Sequence, residues 1–193
     1  MKKLLFASAL VFAAFGTVNA QDGGTAYEQG KSTVALGYGF GNIWKSGFKL
    51  LTGSGGGSTK SMGPFAVTYE YGVTEKISVG ACVSFSSLKN SYTDNSEEKL
   101  TQFGIVARGN YHFGSSAKFD PYIGLGLGYY NFKFSAKDAN GNDDASVIYS
   151  VPGAFGYSGQ LGAKYYFTPN IGLFAEVGYI AGGYGQIGVN FKF

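Results

Sequence analysis

From residue 32 onward the chain alternates large apolar residues with small or polar ones at a period of two, and every ionised residue well inside these runs falls on the small side. That period belongs to strands with two unlike faces. Eight runs can be counted: "STVALGYGF" (32–40), "PFAVTYEY" (64–71), "ISVGACVSF" (77–85), "QFGIVARGNYHF" (102–113), "PYIGLGLGYYNFKF" (121–134), "FGYSGQLGAKYYF" (155–167), "IGLFAEVGY" (171–179) and "GQIGVNFKF" (185–193). In the second, Phe65, Val67, Tyr69 and Tyr71 oppose Ala66, Thr68 and Glu70; in the seventh, Ile171, Leu173, Ala175, Val177 and Tyr179 oppose Gly172, Phe174, Glu176 and Gly178. The fifth run loses its phase at Tyr129-Tyr130, where a bulge that re-aims its upper half is expected.

Two all-β barrels fit such a pattern, and they are inside-out versions of each other. The ionised residues of the strand bodies are Glu70, Arg108, Lys164 and Glu176, all on the glycine-rich face. A soluble barrel would set these charges in a dry cavity and turn a belt of aromatics to water, wrong on both counts. In lipid the arrangement is the favourable one, because an outward Lys or Arg at mid-membrane costs roughly 2–4 kcal/mol. The 32 glycines beside 17 Phe and 15 Tyr then have a reason. Eight tilted strands enclose so narrow a cylinder that inward side chains nearly fill it, and small residues must make room for the few long ones. The expected fold class is all-β: an eight-stranded antiparallel up-and-down transmembrane β-barrel spanning residues 32–193.

Aromatics sharpen this. Phe40, Phe65, Phe85, Phe103, Tyr157 and Tyr179 lie near the strand ends that adjoin long connections, and Tyr71, Tyr111, Phe113, Tyr165, Phe167 and Phe193 near the opposite ends. Two girdles result, as where rings sit at lipid headgroups. Long polar connections (41–63, 86–101, 135–154) alternate with brief ones (72–76, 114–120, 168–170), as they do when one rim faces the exterior and the other the periplasm. The last connection (180–184) departs from this by being short on the outer side.

The N-terminus reads as an export leader. Lys2 and Lys3 precede an apolar stretch to Phe15, and Val18-Asn19-Ala20 offers small residues for cleavage, giving a signal peptide over 1–20 and a short periplasmic segment over 21–31. Two of the charges behind the formal +3 are thus in the leader, and nothing points to nucleic acid. Cys82 is the single cysteine, so there is no intramolecular disulfide framework. "GYGFGN" (37–42) and "GLGLGY" (124–129) precede no helix and are strand packing, not phosphate loops. "DANGNDDAS" (138–146) has its glycine fourth, where an EF-hand needs it sixth. At most a loose exterior Ca²⁺ contact remains, and no cofactor or dedicated metal site is expected.

The leader, the eight runs, "PYIGLGLGY" and the terminal "VNFKF" together resemble the small outer-membrane β-barrel family typified by the OmpA transmembrane domain and its OmpX-like relatives. The resemblance implies residence in the outer membrane of a Gram-negative bacterium, among outer-membrane lipid and lipopolysaccharide. It also implies a C-terminal signal for the barrel-assembly machinery, which here falls on Ile187, Val189, Phe191 and Phe193. No peptidoglycan-binding domain follows the barrel in this sequence, so a wall-tethering role is not carried over.

Candidate residues follow from the inner face. Glu70, Arg108, Lys164 and Glu176 sum to zero charge and are expected to form a salt-bridged interior, with Gln102, Asn110, His112, Gln160 and Gln186 as further lumen polar groups. His112 is the one histidine, and no Ser/His/acid constellation is recognisable around it. Trp44 and Phe48 make the first long connection unusually apolar. They are read either as a surface for an extracellular partner or as side chains folded back onto the hairpins. The favoured role is non-enzymatic: a barrel occluded by its polar network, serving envelope integrity or surface interaction. The alternatives are a narrow pore for small solutes and a lipid-modifying enzyme.

Overall fold

The computed structural model describes residues 24–52, 58–144, 149–180 and 182–193; the leader expected over 1–20 lies outside them. Eight strands close on themselves: β1 (Ser32–Phe40), β2 (Ser58–Gly72), β3 (Ile77–Ser91), β4 (Glu97–His112), β5 (Phe119–Lys137), β6 (Tyr149–Tyr166), β7 (Ile171–Ile180) and β8 (Gly183–Lys192). Each pairs antiparallel with its neighbours, and β8 pairs with β1 from Thr33↔Lys192 to Phe40↔Gly185, so no sheet edge is left open. Closure satisfies the backbone within the sheet, a requirement for crossing hydrocarbon as strands. Phe193 and Ser32 exchange backbone hydrogen bonds (2.9 and 3.3 Å) at the seam.

The two faces are inverted relative to a water-soluble barrel. Leu125 is 74% exposed, and Ile123, Leu127, Val67 and Ile105 also point out, whereas Glu70, Arg108, Lys164 and Glu176 are buried. The upper girdle is continuous across strands, since Tyr38 pairs with Phe65, Phe65 with Phe85 and Phe85 with Phe103. Inside, Tyr130 lies flat where a β-carbon on Gly104 or Gly156 would collide with its ring. Those two glycines show why a narrow lumen alternates small with large.

Three expectations are corrected. The long connections contain much strand: β3 and β4 run on past the girdle to a turn at 92–96, β5 reaches Lys137 and β2 already begins at Ser58. Above the hydrocarbon the outward face no longer needs to be apolar, so the period-two signal fades while backbone pairing continues. The first connection also contains a helix, α1 (Trp44–Thr52). Finally, the bulge beside Tyr130 is carried by β6, where 152–153 stand opposite Asn131, and β5 keeps its alternation with Tyr129 out and Tyr130 in. Pro152 cannot donate to a ladder, which suits it to a bulge. A second bulge falls between Met62 and Phe65, where Gly63 adopts φ +82°, a left-handed conformation costly for any residue with a β-carbon.

Candidate functional site

The lumen is the candidate site. Strand parity aims Glu70 (β2), Arg108 (β4), Lys164 (β6) and Glu176 (β7) at one level of the axis from four different directions. Arg108 grips Glu176 with both terminal nitrogens and reaches Glu70 at 3.5 Å. Lys164 Nζ stands 2.5 Å from the other Glu70 oxygen. Neutral donors complete the carboxylates: Asn110 Nδ2 donates to Glu70 (2.7 Å), while Tyr122 (2.7 Å) and Gln186 (2.5 Å) donate to Glu176. The Gln160 amide lies against both Asn110 (2.9 Å) and Arg108 (3.1 Å). Both acids are hydrogen-bonded beyond their ionic partners, Arg108 lies against the Gln160 amide and Lys164 Nζ over the Tyr122 ring (5.1 Å), which meets the conditions under which charge tolerates burial.

Above this layer Gln102 bridges Ser84 (3.2 Å) and Ser86 (3.1 Å). Higher still the interior becomes apolar. Phe48 of α1 packs with Leu88 and Leu100, flanked by Trp44, Phe132 and Phe134. Phe48 is 1% exposed, so that ring is spent on the hairpins' own core and is not offered to a partner. Trp44 is half-buried edge-on against Phe132 at 4.8 Å.

The opposite mouth is closed by residues 24–31. Lys192 Nζ binds the Glu28 carboxylate (2.6 Å) and the Ala26 carbonyl (3.2 Å), and Ala26 N donates to Ser116 O (2.8 Å). The Tyr27 ring stacks on His112 at 3.7 Å, and its hydroxyl donates to the Ile77 carbonyl (2.7 Å). A cavity of only about 10 Å³ remains beneath, too small for anything beyond one water.

Under Tyr27 lies a constellation that sequence reading does not anticipate. Ser78 Oγ is 2.9 Å from His112 Nε2, and His112 Nδ1 is 2.8 Å from Asp120. Parity already puts Ser78 and His112 inside; Asp120 is missed because it reads as part of a turn, although it shares the phase of Tyr122. The geometry is that of a nucleophile, base and orienting acid. All three are nonetheless buried, with no space beside Ser78 Oγ for a substrate carbonyl. In this packing the trio supports the ring stacked upon it.

Tyr27 gives that mouth a pH signature. Burial first, and the Asp120 carboxylate second, push its hydroxyl up from 10.0 to about 12. The docked state therefore favours the neutral phenol, so its hold is complete below the unperturbed value and is lost as pH rises through the shifted one. A spin label at Gly24→Cys is expected to gain mobility between pH 10 and 12, and Tyr27→Phe to remove that step; a label immobile throughout would refute the docking.

The turn at 138–144 commits its first carboxylate internally. Asp138 accepts from the backbone N–H of Asn140 and Asn142, both at 2.9 Å, and the Asn142 bonds hold its carboxyl below the usual range. Cys82 is buried beside Ala66 and Ile180. Ile187 and Phe193 face outward on the closing strand, with Val189 and Phe191 half-buried between them.

A family model described as "Outer membrane protein beta-barrel domain" matches residues 7–193. Comparison with curated protein sequences returns no match. Among solved structures the chain is similar to Ail, the attachment invasion locus protein of Yersinia pestis, in complex with the heparin analogue sucrose octasulfate (14% identity, 86% of this chain, 100% of that one, TM-score 0.52). It is also similar to the outer membrane protein OprG from Pseudomonas aeruginosa (14% identity, 88% and 99% coverage, TM-score 0.48).

Proposed function

This chain belongs to the outer membrane protein β-barrel domain family, and from that premise we propose that it works as a closed, non-enzymatic barrel serving envelope integrity or surface interaction through its long hairpins. The observation that carries this reading is the stacked closure of the lumen: the α1 cap, the Arg108-centred ion network and the Tyr27 segment succeed one another along the axis. The long-hairpin end faces the exterior and the 24–31 segment the periplasm. During biogenesis the outward row Ile187, Val189, Phe191 and Phe193 engages the barrel-assembly machinery, and the mature wall sits among outer-membrane lipid and lipopolysaccharide.

Single-channel recording in planar bilayers tests the closure. Refolded protein is expected to give no stable conductance steps in molar salt; regular ohmic steps from pure, heat-modifiable barrel would favour the pore reading.

The Ser78, His112 and Asp120 geometry favours a second reading, a hydrolase unmasked when residues 24–31 lift away. A fluorophosphonate probe decides it. Labelling that is lost in Ser78→Ala would support hydrolysis, and absence of labelling in both full-length protein and a Tyr27→Ala variant would end it.

A further inference from the structure

The outward face of β2–β5 above the girdle carries an unusual row. Lys60 pairs directly with Lys89, and Lys89 with Lys99, while Lys137 stands opposite Glu97 one step further out. Like charges placed directly across neighbouring strands oppose sheet formation, their β-carbons being only about 4.5–5.5 Å apart. Here three lie abreast. Glu97 is ion-paired to Lys89 (2.5 Å) and lines the same cleft, and Asp143 stands across from Lys137. These lysines line an open cleft of about 390 Å³ floored by Met62 and the hydroxyl-bearing Ser87 and Ser135.

Height identifies the occupant. Lys89 lies four residues beyond Phe85, and Lys99 four before Phe103, both girdle rings. At about 3.3 Å per residue and a tilt of about 40°, the row stands about 10 Å above the aromatic belt. That is headgroup territory, on the lipid side of the wall. Met62, 52% exposed, faces the membrane-proximal edge of the cleft.

We propose that Lys60, Lys89, Lys99 and Lys137 form a binding site for the phosphate groups of an anionic glycolipid in the surrounding outer leaflet. The site rests on the outward orientation of the long hairpins proposed above. Phosphates supply counter-charge to the three lysines that lie abreast, and the serine hydroxyls donate to the same oxygens. A soluble polyanion would have no need of a site against the lipid.

The test uses refolded full-length mature protein in phosphatidylcholine vesicles with and without bis-phosphorylated lipid A, dephosphorylated lipid A, inorganic phosphate or a sulfated oligosaccharide. Lipid retained on the protein is counted by native mass spectrometry. The triple variant Lys60→Gln/Lys89→Gln/Lys99→Gln should fold as well as wild type by gel mobility, yet retain bis-phosphorylated lipid A about tenfold less, since each cation near an anionic surface contributes measurably. The corresponding triple Arg variant should retain it normally, and dephosphorylated lipid should not distinguish the three proteins. Equal retention by wild type and the Gln variant overturns the proposal. So does lysine-dependent binding confined to free phosphate or to the sulfated oligosaccharide. Orientation is read separately: Asn140→Cys should react with an impermeant maleimide on intact cells, and a protected thiol would refute the orientation whatever the vesicles show.

Discussion

Replacing Arg108 with alanine is expected to destabilise the folded barrel by roughly 3–5 kcal/mol, the cost of leaving a buried charge without its partner. Among the described residues the guanidinium is the one group that touches both carboxylates, so its loss leaves Glu176 with only neutral donors and Glu70 with Lys164 and the Asn110 amide. Urea unfolding in lipid vesicles, followed by heat-modifiable gel migration, measures the change. A double replacement, Arg108→Met with Glu176→Leu, should cost less than Arg108→Ala by itself, because it removes the orphaned charge along with its partner. Unchanged stability together with unchanged conductance in Arg108→Ala would remove the interior plug from the account.

Leu125→Arg is the second large effect, expected to cost roughly 2–4 kcal/mol because it places a cation at mid-membrane depth. Leu125 is flanked by Gly124 and Gly126 on β5 and is the most exposed of the outward leucines at 74%. On a water-facing wall the same replacement would be nearly neutral or favourable, so the sign discriminates between the two barrels. Lys133→Ala, exposed on the same strand but nearer its end, is the control. The same unfolding assay should show it within about 0.5 kcal/mol of wild type, as for a surface substitution away from the packed interior.

The membrane-spanning part of the fold is legible from sequence because two solvents impose opposite chemistry on alternate residues. Leu125 beside Gly126, or Arg108 beside Ala107, declares its face without any structure. Past the girdle that pressure ends. Lys60, Lys89 and Lys99 are strand residues that read as loop, since water on the outside leaves nothing apolar to alternate. The α1 helix is hidden for a related reason: Phe48 is buried against Leu88 and Leu100, residues distant in sequence whose approach depends on hairpins extending upward. The inner charges are readable as a set, but their pairing is not. Whether Lys164 meets Glu70 or Glu176 depends on strand stagger around the barrel. The Ser78, His112 and Asp120 contacts join β3, β4 and β5 through register, and Asp120 lies in a stretch that reads as a turn until β5 is seen to begin at Phe119.

The central claim is that hydrocarbon lies outside this wall and the ions within it. A single tryptophan placed at Leu125→Trp in a Trp44→Phe background, with the protein refolded into vesicles, tests it most directly. Lipids brominated near the middle of the acyl chain should quench its emission strongly, while aqueous iodide leaves it bright. Quenching by iodide with indifference to the brominated chains would place water where lipid is required and contradict the account.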